Sequence, residues 1–152
     1  MLLYFDSPEG MDLANLKQVY QESLEFGKMF SSTQNFYDYW LYDFFSHPGA
    51  ICAVWEENGI YVSVVCLEPY KDGVLITGLE TLPAQRNMGM AGRLLSAVLS
   101  RLDGITLYSH IQRRNVPSLR LHKSCGFVFY TDHAVFLDGS VSCNYDTYIL
   151  QM

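Results

Sequence analysis

The sequence predicts a fold of the mixed α+β or α/β class, with about seven strands and about four helices in one domain, residues 1–152. Three observations carry this. Apolar residues recur at helical spacing in the first third of the chain. From about position 50 the pattern changes to short apolar runs bounded by turn residues. A strand, glycine-containing loop, helix, strand and helix then follow one another through the middle.

Residues 2–5 read as a short first strand, closed by the turn Ser7-Pro8-Glu9-Gly10. Leu13, Leu16, Val19, Tyr20 and Leu24 share one helical face, so 11–27 is expected as an amphipathic helix. Phe36, Tyr39, Trp40 and Phe44 mark a second helix over 34–46, ended by His47-Pro48-Gly49. Runs 50–55 and 60–67 flank Asn58-Gly59, a strong hairpin signal. Run 74–82 is a further strand, and a loop follows it through Gly89. Residues 90–102 form a long helix with Leu94, Leu95, Val98, Leu99 and Leu102 on its apolar face. A strand over 105–111 leads to a helix opened by Asn115 and closed at Gly126, with Pro117 in its first turn. Runs 127–130, 134–137 and 145–150 are closing strands, with Asp138-Gly139 as a turn. The order is βααβββαβαββ, without linker, repeat or low-complexity tract.

Composition narrows the function. An apolar fraction of 49% with 17% charged residues suits a soluble globular chain. No apolar run approaches the ~20 residues needed to span a bilayer, and the first residues lack a basic leader pattern, so a cytoplasmic location and no membrane partner are expected. Cys52, Cys66, Cys125 and Cys143 show no ligand spacing, and no metal is expected. The net charge of −6 argues against nucleic acid. Its distribution is uneven. Residues 1–85 hold three basic and twelve acidic side chains, whereas 86–123 hold seven basic and one acidic. A basic segment in an acidic chain fits a local anion site, or simply solvated helix faces.

The loop at Gly89 lies in that segment. A strand, a glycine turn and a helix start leave helical N–H groups free to point at an anion. Gly89 permits unusual φ, Ala91 and Gly92 keep the helix start bare, and Arg86 and Arg93 add charge. Alone the pattern is also that of an ordinary tight turn. It has neither the P-loop nor the dinucleotide-binding spacing.

At this point the chain resembles the GCN5-related N-acetyltransferase (GNAT) family. The family loop Q/R-x-x-G-x-G/A is similar to Arg86-Asn87-Met88-Gly89-Met90-Ala91, and a second motif, N-x-x-[AS]-x-x-L-Y-x-x-x-G-F, resembles Asn115 through Phe127. The resemblance implies a mixed, splayed sheet of about seven strands flanked by about four helices, with acetyl-CoA as cosubstrate and an acetyl group passed directly to a primary amine. It implies that Leu79 and Thr81 meet the pantetheine arm through their backbone. Arg86, Asn87, Met88, Gly89, Met90, Ala91 and Gly92 would cradle the pyrophosphate, with Asn115, Ser118 and His122 contacting the cosubstrate from the next helix.

Candidates for the chemistry follow. Glu80 lies late in its strand, between apolar residues, and is the first choice of base for an ammonium acceptor. It also fits an acid reaching solvent at a strand edge. His110 is the rival base, or a hydrogen-bonded core histidine. His122 stands where the family usually has a tyrosine that protonates the coenzyme A thiolate. An imidazolium could donate that proton, and helical packing is the alternative role. Phe30, Phe36, Tyr37 and Trp40 fit a core stripe or an acceptor wall. The acidic first half favours a cationic amine, of a small molecule or peptide. Exposed strand edges near the end of the chain leave a homodimer open. The alternatives to an acyltransferase are a non-catalytic acyl-CoA-binding or regulatory module, and a structural dimerisation domain.

Overall fold

The computed structural model describes residues 1–152. Its strands are β1 (Leu2–Phe5), β2 (Ile51–Glu57), β3 (Ile60–Tyr70), β4 (Gly73–Thr81), β5 (Thr106–Gln112), β6 (Val128–Thr131), β7 (Ala134–Val135), β8 (Val141–Ser142) and β9 (Tyr145–Gln151). Seven of them form one sheet in the order β1-β2-β3-β4-β5-β9-β6, and β7 and β8 pair separately. The Asp138-Gly139 turn therefore closes a small ribbon, while β9 inserts between β5 and β6.

Every neighbouring pair in the large sheet is antiparallel except β4 with β5. That parallel pair is brief. It joins Val74 to Leu107, Leu75 to Tyr108 and Ile76 to Ser109, and then ceases, although both strands run on. Beyond Ile76 the sheet is forked. The backbone groups of β4 that face the fork have no strand partner there. A bulge sharpens the bend. On the β3 side, Val64 pairs with Glu80 but Cys66 pairs with Thr77, so Gly78 and Leu79 face the single residue Val65.

Helices cover both faces of the sheet. On one face lie α1 (Leu13–Val19), α2 (Gln21–Phe26) and α3 (Thr33–Asp38), over a core that includes Leu16, Tyr20, Phe36, Trp40, Val64 and Cys66. On the other lie α4 (Met90–Leu99) and α5 (Val116–Ser124), with Leu94, Leu95 and Val98 of α4 packed among Ile76, Leu107 and Tyr148.

The expected helix over 11–27 is two helices. Asp12 caps the first, accepting from the Asn15 amide at 3.0 Å, and the helix breaks at Tyr20. No breaker residue stands there. Tyr20 is instead fixed from a distance, its ring buried and its hydroxyl donating 2.8 Å to the Gly78 carbonyl in the bulge. The expected helix over 34–46 starts from the Ser32 cap, widens into a π turn over Tyr39–Asp43, and ends in a tight turn over Phe44–Ser46. The widened turn accommodates Phe36, Trp40 and Phe44 in one buried layer, each without solvent exposure. With Phe30 also buried and Tyr37 packed against the same cluster, these rings are core. The helix expected over 90–102 stops at Leu99, where Ser100 turns its hydroxyl back onto the Ala97 carbonyl at 2.7 Å.

Candidate active site

The fork opens into two adjoining chambers. The strand-side chamber, about 670 Å³, lies between the diverging ends of β4 and β5 and is closed by α2 and α5. The loop-side chamber, about 600 Å³, runs from β4 to the start of α4. Lys28, Leu79, Glu80, Asn115 and Ser118 line both.

The loop-side chamber is built on the start of α4. Gly89 caps the helix at φ 77, and the first intrahelical donor is the Arg93 amide, bonded to the Gly89 carbonyl at 3.0 Å. The amides of Met90, Ala91 and Gly92 precede that donor and carry the positive end of the helix dipole. A Cβ on Gly89 would meet nothing within 4 Å. Arg86, Asn87, Gly89, Met90, Ala91 and Gly92 line the chamber, and so do Leu79 and Thr81. Met88 does not; it projects into solvent, 59% exposed. Arg93 turns away to Glu57 at 3.3 Å. Arg86 is engaged within the protein, with Nη1 on Glu22 at 2.6 Å, Nη2 on Glu80 at 3.4 Å, and Nε donating to the Thr81 carbonyl. The anion-binding potential of this loop therefore rests on backbone amides before side-chain charge.

The bulge decides where the β4 side chains point. Leu79 packs on the α4 face, whereas Glu80 lies opposite Val64, on the face of α1 and α2. Burial raises the Glu80 pKa above the usual carboxylate value. Arg86 opposes that rise, Glu22 adds to it, and Lys28 opposes it. The carboxylate is one-third exposed and borders both chambers.

His110 lies on the Glu80 face of the forked sheet, across the gap. Its ring stands edge-on to Tyr70 and Phe136, at centroid distances of 5.6 and 5.3 Å. Burial, and then the nearby Lys71 charge, lower its pKa to about 4, so the imidazole is neutral at pH 7. It is not a hydrogen-bonded core histidine. Its Nε2 is buried without a partner, and the residue lines the strand-side chamber.

His122 sits on the opposite face, 2% exposed, with both ring nitrogens engaged. Nδ1 lies 2.7 Å from the Ser118 carbonyl and Nε2 lies 2.9 Å from Ser109 Oγ. A carbonyl only accepts, so Nδ1 carries the hydrogen. In the neutral ring Nε2 is then the acceptor of the Ser109 hydroxyl. Burial lowers the His122 pKa, against the opposing effect of the Ser118 carbonyl bond, so the ring is neutral at pH 7. A resting imidazolium donor is thus not what the fold provides. Asn115 caps α5, its Oδ1 accepting from the Ser118 amide at 3.2 Å.

Further residues that had not stood out in the sequence also line the strand-side chamber, among them Ser109, Lys28, Gln112 and Tyr145. Lys28 had one available signal, being one of three basic residues in the acidic first half. Ser109 had none, because a serine in a strand announces no partner.

Comparisons with known proteins fit this arrangement. The acetyltransferase (GNAT) family model matches residues 13–127, which include the fork, the loop and both histidines. No curated protein sequence matches the chain. Among solved structures, the ribosomal-protein-S18-alanine N-acetyltransferase from Escherichia coli superposes with a TM-score of 0.64 at 18% identity, covering 98% of this chain and 91% of that one. The yncA protein of Salmonella typhimurium, solved with its cofactor acetyl-CoA, gives 0.68 at 18% identity, over 99% and 93%. An aminoglycoside 6'-N-acetyltransferase complexed with coenzyme A gives 0.68 at 11% identity, over 99% and 96%. At such identities the superpositions speak for the fold, while the family model spans most of the chain and speaks for descent: this protein belongs to the GNAT acetyltransferase family.

Proposed function

We propose that this protein transfers an acetyl group from acetyl-CoA to a primary amine of a small molecule or peptide. The observation that carries the reading is the forked sheet beside a bare helix start. The β4 backbone near Leu79, Glu80 and Thr81, which has no strand partner on its fork side, suits the amide-bearing pantetheine arm, as an added strand would. The open amides of Met90, Ala91 and Gly92 suit the pyrophosphate. Arg86, Asn87 and Gly89 border it, and Asn115, Ser118 and His122 approach from α5. When bound, the cosubstrate supplies an acetyl thioester, a carbonyl activated toward amines.

The acceptor enters on the Glu80 and His110 face. Glu80 is the base that takes a proton from the ammonium, its pKa raised toward a useful range by burial. His110, neutral in its half-buried place on the chamber wall, is the rival base. Glu80 with Glu22 favours a cationic acceptor, and Lys28 at the same border limits how much positive charge is accommodated. The exposed apolar edge of β6, where Val128, Phe129 and Tyr130 are each more than half exposed, supports a homodimer.

The test is incubation with acetyl-CoA and a panel of polyamines, aminoglycosides, amino acids and peptides, read by mass so that the acetylated amine is identified. At least one acceptor is expected to gain an acetyl group. Glu80→Gln should lower kcat/KM about a hundredfold near neutral pH, and less at high pH where the amine is already unprotonated. No acetylated product from any acceptor would sink the reading.

A further inference from the structure

The family reaction needs a proton for the departing thiolate, and the residue in the usual position, His122, is neutral with both nitrogens engaged. Two serine hydroxyls reach the His122 ring, Ser118 Oγ at Nδ1 (3.3 Å) and Ser109 Oγ at Nε2 (2.9 Å), and that of Ser109 is the closer. Ser109 is the last β5 residue paired with β4, at the apex where the strands part, opposite Ile76. Its side chain shares a face with that of Tyr148, its partner on β9, toward α5. Ser109 and His122 are 3% and 2% exposed, and both line the strand-side chamber. The donors run in one direction: Ser109 Oγ–H to His122 Nε2, and His122 Nδ1–H to the Ser118 carbonyl. The oxygen of Ser109 keeps acceptor capacity, and the residue lines the strand-side chamber. This is the geometry of a side chain poised to receive a proton and pass one inward, with the receiving imidazole oriented by a third group.

We propose that Ser109 and His122 form a proton shuttle, in which Ser109 relays the proton lost by the attacking amine to His122 Nε2 and later returns it to the departing sulfur. The proposal rests on the acetyl-transfer reading above. The steps balance as follows. The neutral amine forms its nitrogen–carbon bond to the thioester carbonyl carbon. The excess N–H proton passes to Ser109 Oγ, while the Ser109 hydroxyl proton passes to His122 Nε2. His122 is then cationic, its Nδ1–H still on Ser118. As the carbon–sulfur bond breaks, its electron pair stays on sulfur. Ser109 gives that sulfur a proton and recovers one from His122 Nε2. The products are the amide and the free thiol, and both residues return to their starting state. A histidine that begins neutral is suited to this task, because the reaction itself loads the proton that the leaving group needs. Glu80 acts earlier and on the other face, on the ammonium before attack.

The test uses the full chain, acetyl-CoA and an amine that the wild-type protein acetylates. Ser109→Ala should lower kcat about a hundredfold while the KM for acetyl-CoA changes no more than about threefold. Ser109→Thr, which keeps a hydroxyl, should recover most of the loss. His122→Asn should match Ser109→Ala, and the double variant should be no worse than either alone, because the two act as a unit. The wild-type proton inventory in mixed heavy water should be curved, reporting two protons in flight, and Ser109→Ala should straighten it. Coenzyme A must still raise the melting temperature of each variant. If both Ser109→Ala and Ser109→Thr lose that response, the pair is structural and the proposal falls. Unchanged kcat in Ser109→Ala, or a stable acetyl group on Ser109 by mass, also overturns it. A wild-type protein that acetylates nothing overturns the transfer reading itself, a different failure.

Discussion

His110 is the clearest residue-scale case in which environment outweighs identity. An ordinary histidine titrates near 6.5, whereas burial and Lys71 bring this one to about 4. The unfolded chain therefore takes up a proton near pH 6.5 that the folded chain refuses until about pH 4. Between those values the unfolded state binds more protons, so this residue withdraws stability as pH falls and leaves it unchanged well above 6.5. His122, lowered by burial, acts in the same direction, and Glu80, raised by burial, acts in the opposite one. Replacing His110 by Phe keeps an aromatic ring against Tyr70 and Phe136 and removes the titration. Discounted for partial exposure, the effect is about 1 kcal/mol. The melting temperature of His110→Phe should thus fall by roughly 2–4 °C less than that of wild type between pH 7 and pH 4.5. Equal slopes in a pH-resolved melting series would refute the assignment.

At the scale of elements, the proposed recognition rests on the start of α4 and the fork, and their legibility differed. The strand–loop–helix passage around Gly89 was readable because a helix start has a local grammar of small residues and positive φ. The fork was not readable from periodicity. It depends on β4 and β5 ceasing to pair after Ile76, and on a bulge whose only local trace is Gly78 within a strand. The break at Tyr20 was likewise invisible, since its cause lies 58 residues away in the bulge carbonyl. The Gly89 loop makes a prediction of its own. An L-residue at φ 77 meets strain of roughly 1–2 kcal/mol even where space is open. Gly89→Ala should therefore either lose about that much stability or shift the loop, and in the second case weaken coenzyme A binding about tenfold by titration calorimetry. Gly139→Ala is the control. Its φ is 85, its surroundings are equally open, and it lies in the β7–β8 turn away from both chambers. Coenzyme A affinity unchanged in a structurally shifted Gly89→Ala would separate this loop from the binding site.

Across the whole molecule, the charge asymmetry of the sequence survives folding in altered form. The basic segment fitted a local anion site or solvated helix faces, and in the structure Arg86, Arg93 and Arg113 close ion pairs within the protein. The distribution of charge was legible, but the pairing was not, because the partners Glu22, Glu57, Glu80 and Asp146 are distant in sequence. The same is true of His122, whose place in a helix was plain and whose bond to Ser109 required the sheet to be assembled. The shared lining of the two chambers has a consequence for turnover. Lys28, Leu79, Glu80, Asn115 and Ser118 belong to both, so the two chambers adjoin. Such an enzyme has room for both reactants together and no need to release the first product before the second reactant arrives. Initial velocities taken at several fixed acceptor concentrations should give double-reciprocal lines that intersect. Parallel lines would mean that the site is emptied between two half-reactions, which two adjoining chambers give no reason to expect.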